Sequence, residues 1–143
     1  MRMKIGIWLC GAILASLTLN ALASENKDVP NLAANQVLGI GEVSFKRMVQ
    51  PILHDYCVNC HEPGGKGYEK SGLDLTSYQG LMKGTVFGKV VIPGNSESST
   101  FTKLLTGTNN GLKMPMGLND TGTLDRQYIL LLKKWVKQGA KDN

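Results

Sequence analysis

The longest apolar stretch in the chain comes first. Ile5 to Leu19 is almost unbroken, with Arg2 and Lys4 ahead of it and Ala21-Leu22-Ala23, then polar Ser24-Glu25-Asn26, behind it. A charged start, an apolar centre and a small-x-small end form the layout of a secretory signal peptide. A membrane-crossing helix needs about 20 predominantly apolar residues. This run is shorter, is broken by Ser16 and Thr18 and ends at Asn20. The expected organisation is a signal peptide over 1–23, an extended arm over 24–41 carrying Pro30, Gly39 and Gly41, and one domain over 42–143. Such a chain is periplasmic, has no membrane span after cleavage, and loses Cys10 with its leader.

Beyond Gly41 the apolar positions recur at helical spacing. Phe45, Met48 and Val49, with Lys46 and Arg47 between them, predict a helix over 43–49. Pro51 interrupts it, and a second turn of helix is expected from there, Pro being tolerated in a first turn. Glu62 to Lys70 is Gly-rich and charged and reads as a loop. Its Gly64-Gly65-Lys66-Gly67 run lacks the Lys-Ser/Thr ending of a phosphate loop and reads as a flexible segment. Thr76 or Ser77 can cap a short helix through Leu81, and Asn95 or Ser96 another through Leu105. Gly107 to Gly122 is turn chemistry. The clearest helix is Leu124 to Lys137, capped by Thr123 and ended by Gly139. It sets Leu124, Tyr128, Leu131, Leu132, Trp135 and Val136 on one face, and Arg126, Gln127, Lys133, Lys134 and Lys137 on the other. No alternating pattern is long enough to build a sheet. The expected fold class is all-α, with long loops.

Composition changes this picture little. The chain is 42% hydrophobic and 19% charged, an ordinary globular balance. Its 16 basic and 11 acidic residues are too evenly spread for a nucleic-acid binder. Neither a Ser-His-Asp set nor a carboxylate pair stands out, so an enzyme is not expected.

The chemistry lies in Cys57-Val58-Asn59-Cys60-His61. C-x-x-C-H is the attachment signature of a c-type haem. Residues three and four apart share a helix face, so Cys57 and Cys60 reach two vinyl groups on one porphyrin edge while His61 offers an imidazole nitrogen to the iron. A structural zinc site calls for four ligands, usually as two separated pairs, and here there is one pair. A thioredoxin-like dithiol calls for a βαβ unit, and none is visible. One covalent heme c, held by Cys57 and Cys60, is the expected cofactor. A single motif also argues against di-haem peroxidases.

A Met thioether is the expected sixth ligand. Met48 lies on the apolar face of the first helix and reads as core, and Met82 as packing. Met114-Pro115-Met116 sits in the turn-rich loop before the last helix. Residues two apart in an extended chain point the same way, so spacing alone leaves Met114 and Met116 both open. His54 stands two helical turns before His61, on the same helix, and reads as peripheral rather than as a second axial ligand.

From Phe45 onward the chain resembles the mono-haem cytochrome c domains of the class I type, most nearly the planctomycete variant. The resemblance rests on Val49-Gln50-Pro51-Ile52-Leu53 before the motif and Gly72-Leu73-Asp74-Leu75 after it. Val91-Ile92-Pro93-Gly94-Asn95, Ser99, Met114-Pro115 and Trp135-Val136-Lys137-Gln138-Gly139-Ala140 continue it. It implies a small class I cytochrome c-like helical fold wrapped around one haem. It also implies that the Met before Pro, Met114, is the distal ligand; Met116 stands where a second Pro is usual. The helix before the motif should cross the last helix, with Phe45 meeting Trp135 and Tyr128. The implied function is single-electron transfer between redox partner proteins, after attachment of haem by a cytochrome c maturation machinery. Alternatives are the haem subunit of an exported dehydrogenase or reductase complex, and a haem-based ligand sensor. Lys133, Lys134, Lys137 and Lys141 read as a solvated face, with a docking patch as the other reading.

Overall fold

The computed structural model describes residues 34–118 and 124–143. The signal peptide expected over 1–23 and Thr123 lie outside the described residues; the last helix, expected from Leu124, begins at Arg126 behind Asp125. Helix dominates, and among the described residues the only strand-like pairings are two isolated bridges, Thr85 with Gly88 and Asn109 with Leu112.

The helices are α1 (Ala34–Gly39), α2 (45–58), α3 (Lys66–Ser71), α4 (Tyr78–Lys83), α5 (Thr100–Thr106) and α6 (Arg126–Lys137). In α2 a wide π-type stretch, Phe45–Val49, leads into α-helix over Gln50–Leu53 and a second wide stretch, His54–Val58. Pro51 therefore does not divide the helix as expected. A proline ring collides with the carbonyl four residues earlier in a regular α-helix. The preceding turn is instead closed five residues apart, Gln50 N–H donating to the Phe45 carbonyl, so the chain passes the proline without breaking.

The first donors of α2 are satisfied from far along the chain. Ser44 Oγ accepts from Arg47 N–H, while Phe45 N–H donates to Asn143 Oδ1 at 2.8 Å and Lys46 N–H to the Asn143 carbonyl at 3.0 Å. Ser44 Oγ itself donates to that carbonyl at 2.8 Å. Asn143 thus acts as a cap supplied from outside the helix. Asn143→Ala is expected to lower unfolding free energy by about 1 kcal/mol, the usual worth of a side-chain cap, read from the denaturation midpoint.

The apolar stripe of the last helix is buried in full: Leu124, Tyr128, Leu131, Leu132, Trp135 and Val136 all lie in the core with Phe45, Val49, Ile52 and Leu53 of α2. Phe45 and Trp135 meet with ring centroids 5.5 Å apart, as expected of the helix crossing. Tyr128 pairs instead with Tyr56, at 5.6 Å. Tyr78 of α4 completes the aromatic cluster, 5.2 Å from Phe45, its hydroxyl donating to the Ala140 carbonyl.

Three local expectations are corrected. The arm expected through Gly41 ends in α1, whose Val37 is buried and whose carbonyls at Val37, Leu38 and Ile40 accept from Lys134 Nζ. An ammonium at a helix C-terminus satisfies its orphan carbonyls and opposes its dipole. The loop expected over 62–70 contains α3, because the Cys60 carbonyl accepts from both Gly67 and Tyr68 N–H and starts a turn that Gly72, at φ +67°, ends. Helix α5 begins at Thr100 behind Ser99, not at Asn95 or Ser96. Asn95 Oδ1 accepts from Ser98 N–H and Ser99 Oγ donates to the Asn95 carbonyl, so the Asn caps a turn before the helix.

Candidate haem-attachment site

The C-x-x-C-H motif straddles the end of α2. The helix stops at Val58, and one more helical turn carries the chain to His61, whose N–H reaches the carbonyls of Cys57 at 3.0 Å and Val58 at 2.8 Å. The same turn brings Cys60 N–H to the Cys57 carbonyl at 3.2 Å. The chain then folds back on the motif: Gly67 and Tyr68 bond the Cys60 carbonyl, and Leu75 N–H donates to the His61 carbonyl at 2.8 Å. The motif is held at both ends.

The two cysteines are free thiols, Cys57 half-buried and Cys60 exposed. Burial first, and then the neighbouring Cys60, push the Cys57 thiol up to about 12. A nucleophilic dithiol works as a thiolate with a depressed pKa, so this pair is unsuited to thioredoxin-like exchange. Among the described residues no group of three or more His, Cys, Asp or Glu side chains is placed to hold a metal ion.

The His61 ring is packed into the returning chain. A Cβ on Gly67 would lie 2.7 Å from His61 Cε1 and 2.9 Å from Nδ1, so only glycine lets the ring sit there. Nδ1 is buried without a hydrogen-bond partner. Burial lowers the imidazole below its ordinary pKa, with the Leu73 backbone pulling the other way. A shift in that direction favours the neutral imidazole, the form that offers a lone pair to a metal. Two thiols three residues apart and a half-buried, cradled imidazole directly after them fit a covalent haem whose iron the histidine would hold.

The other candidates fall in different places. Met114 is half-buried, its N–H donating to the Leu104 carbonyl at the end of α5, and its bond to Pro115 is cis. Met116 is 71% exposed. Met48 and Met82 are partly buried against the core. His54 is exposed, its Nδ1 3.2 Å from Asp55 Oδ1.

The lysines at the end of α6 are mostly engaged. Lys133 pairs with Glu97 at 2.8 Å, Lys141 with Glu42 at 2.7 Å, and Lys134 caps α1.

Residues 57–115 match the family model of planctomycete cytochrome c. The match is consistent with a cytochrome c-type domain. The match runs from the first cysteine of the motif through Met114-Pro115, so most of α2 and all of α6 lie beyond it. Comparison with curated proteins gave no match, nor did comparison with solved structures. Such a cytochrome c domain points to a haem-based electron-transfer role. Sequence reasoning missed Gly67 and Leu73 at this site. The glycine was read as loop flexibility, and only the fold back onto His61 reveals why no side chain fits there.

Proposed function

We propose that this protein is an exported mono-haem c-type cytochrome that carries single electrons between redox partner proteins. Its haem is attached through Cys57 and Cys60, and its iron is held by His61 and Met114. The observation that carries this reading is the C-x-x-C-H turn at the end of α2 with the His61 ring cradled against Gly67. The bound haem supplies a one-electron Fe(III)/Fe(II) couple. The chain's own residues fix the porphyrin edge at two thiols, orient one neutral imidazole, and bring a soft thioether that favours the reduced metal. The half-buried setting of Met114, against the exposure of Met116, favours Met114 as that thioether. The leader over 1–23 would deliver the chain to the periplasm, where maturation machinery forms the thioethers.

Co-expressed with such machinery, the protein should keep its haem through denaturation and acidic acetone. Release of free haem would overturn the proposal. Cys57→Ala or Cys60→Ala should give singly attached or absent product. Ligation is read separately: Met114→Ala should abolish the weak far-red ferric band and lower the potential, and Met116→Ala should leave both in place. The reverse pattern would move the ligand to Met116 without touching the haem assignment.

A further inference from the structure

The exposed large apolar side chains are not scattered. Among the described residues all of them but Leu38 lie in two loops, 84–92 and 112–118. The most exposed is Phe87, at 85%, beside Val86 at 75%. These two form the tip of a tight turn rather than a loose loop. Thr85 and Gly88 exchange backbone hydrogen bonds of 2.9 and 3.1 Å, and Phe87 N–H donates to Thr85 Oγ1 at 3.0 Å. Gly84, at φ +85°, packs so close that a Cβ there would lie 2.5 Å from the Gly88 carbonyl oxygen. A rigid turn presents two large apolar groups where a flexible one would fold them away.

The turn is tied to the motif's surroundings. Val86 N–H donates to the Ser71 carbonyl at the end of α3, Ser71 Oγ donates to the Gly67 carbonyl, and Gly67 touches the His61 ring. The second apolar loop is tied in through α5. Phe101 N–H bonds Val90 near the start of that helix and Met114 N–H bonds Leu104 three residues on, about 4.5 Å along the axis at 1.5 Å per residue. One apolar loop is therefore linked by hydrogen bonds through α3 to the glycine beside His61, and the other contains Met114.

We propose that the Val86–Phe87 tip is an apolar wall of the haem site, packing on the macrocycle and keeping water from its edge. This rests on the haem assignment above. A hydrophobic shell that limits solvent access raises the relative stability of the less charged, ferrous iron. Lys83 and Lys89 flank the tip, so an acidic protein surface is the competing occupant. It is less favoured because it leaves the tether to α3 and the second apolar loop without a role.

The test uses the holoprotein. Proton NMR of the ferrous form should show the Val86 methyl and Phe87 ring signals displaced by the porphyrin ring current, and the Leu38 methyls undisplaced. Phe87→Ser should shift the midpoint potential negative, while Leu38→Ser leaves it unchanged. Val86 and Phe87 signals at their ordinary positions would overturn the contact, whatever the variants do. Displaced signals with an unmoved potential would overturn the exclusion of water. A Phe87→Ser protein altered only in its rate with a protein acceptor, the wild-type signals being undisplaced, would make the tip a docking surface. Absence of acid-stable haem is a separate failure, belonging to the attachment assignment itself.

Discussion

Trp135→Ala is expected to lower the unfolding free energy by about 3–5 kcal/mol, the usual loss for a buried aromatic. Trp135 has no exposed surface and stands where three elements meet. Its ring lies 5.5 Å from that of Phe45 and 6.5 Å from that of Tyr78, and its Nε1 donates to the Lys141 carbonyl at 3.0 Å. Alanine leaves a cavity bordered by α2, α4 and α6 and removes the donor that fixes the chain after α6. Trp135→Phe keeps most of the ring volume and loses the hydrogen bond, so it should fall between. Denaturant titration of the three holoproteins gives the ranking. An alanine variant within about 1 kcal/mol of the wild type would refute the cluster as the centre of stability.

The second large effect is expected at Gly67→Ala. The added carbon would lie 2.7 Å from His61 Cε1 and 2.9 Å from the Cys60 carbonyl oxygen, itself held by two backbone donors. The backbone cannot yield without opening the return of the chain, so the imidazole is displaced. Overpacking of this kind costs about 1–3 kcal/mol, and here it falls on the ring assigned to the iron. The variant should therefore show a mixed-spin ferric spectrum and a shifted potential, beyond any loss of stability. Gly41→Ala makes the same chemical change where a Cβ meets nothing within 4 Å, and it should behave as wild type. Identical spectra for the two variants would remove Gly67 from the positioning of His61.

What could be read in the sequence follows the range of each interaction. The buried face of α6 was legible because period 3.6 is a local signal: its five expected residues are in the core, with Leu124 just ahead of the helix. The C-x-x-C-H turn was legible for the same reason. Helix α3 was not, since Gly64-Gly65-Lys66-Gly67 carries every local mark of a breaker. Its helix is started by the Cys60 carbonyl and its glycine is required by a ring six residues earlier. Lys134 sits on the polar face that the pattern gave it, yet its ammonium is used on α1, about 95 residues back. Tyr78 likewise shows nothing in its own segment of the role it plays against Phe45 and Ala140. Helix α5 began late because an Asn can cap a turn as readily as a helix.

The capping of α2 by Asn143 has a consequence for the order in which the molecule comes into being. Val43, Ser44 and Phe45 bond to residues 95 to 99 positions later, so the closure of this helix waits on nearly the whole domain. Contacts of such sequence separation form late and slowly compared with local ones. As a growing chain emerges from its N-terminus, the start of α2 therefore stays uncapped until α6 and the residues after it have followed. Closure of the helix that ends at Val58 is thus tied to the folding of the domain as a whole.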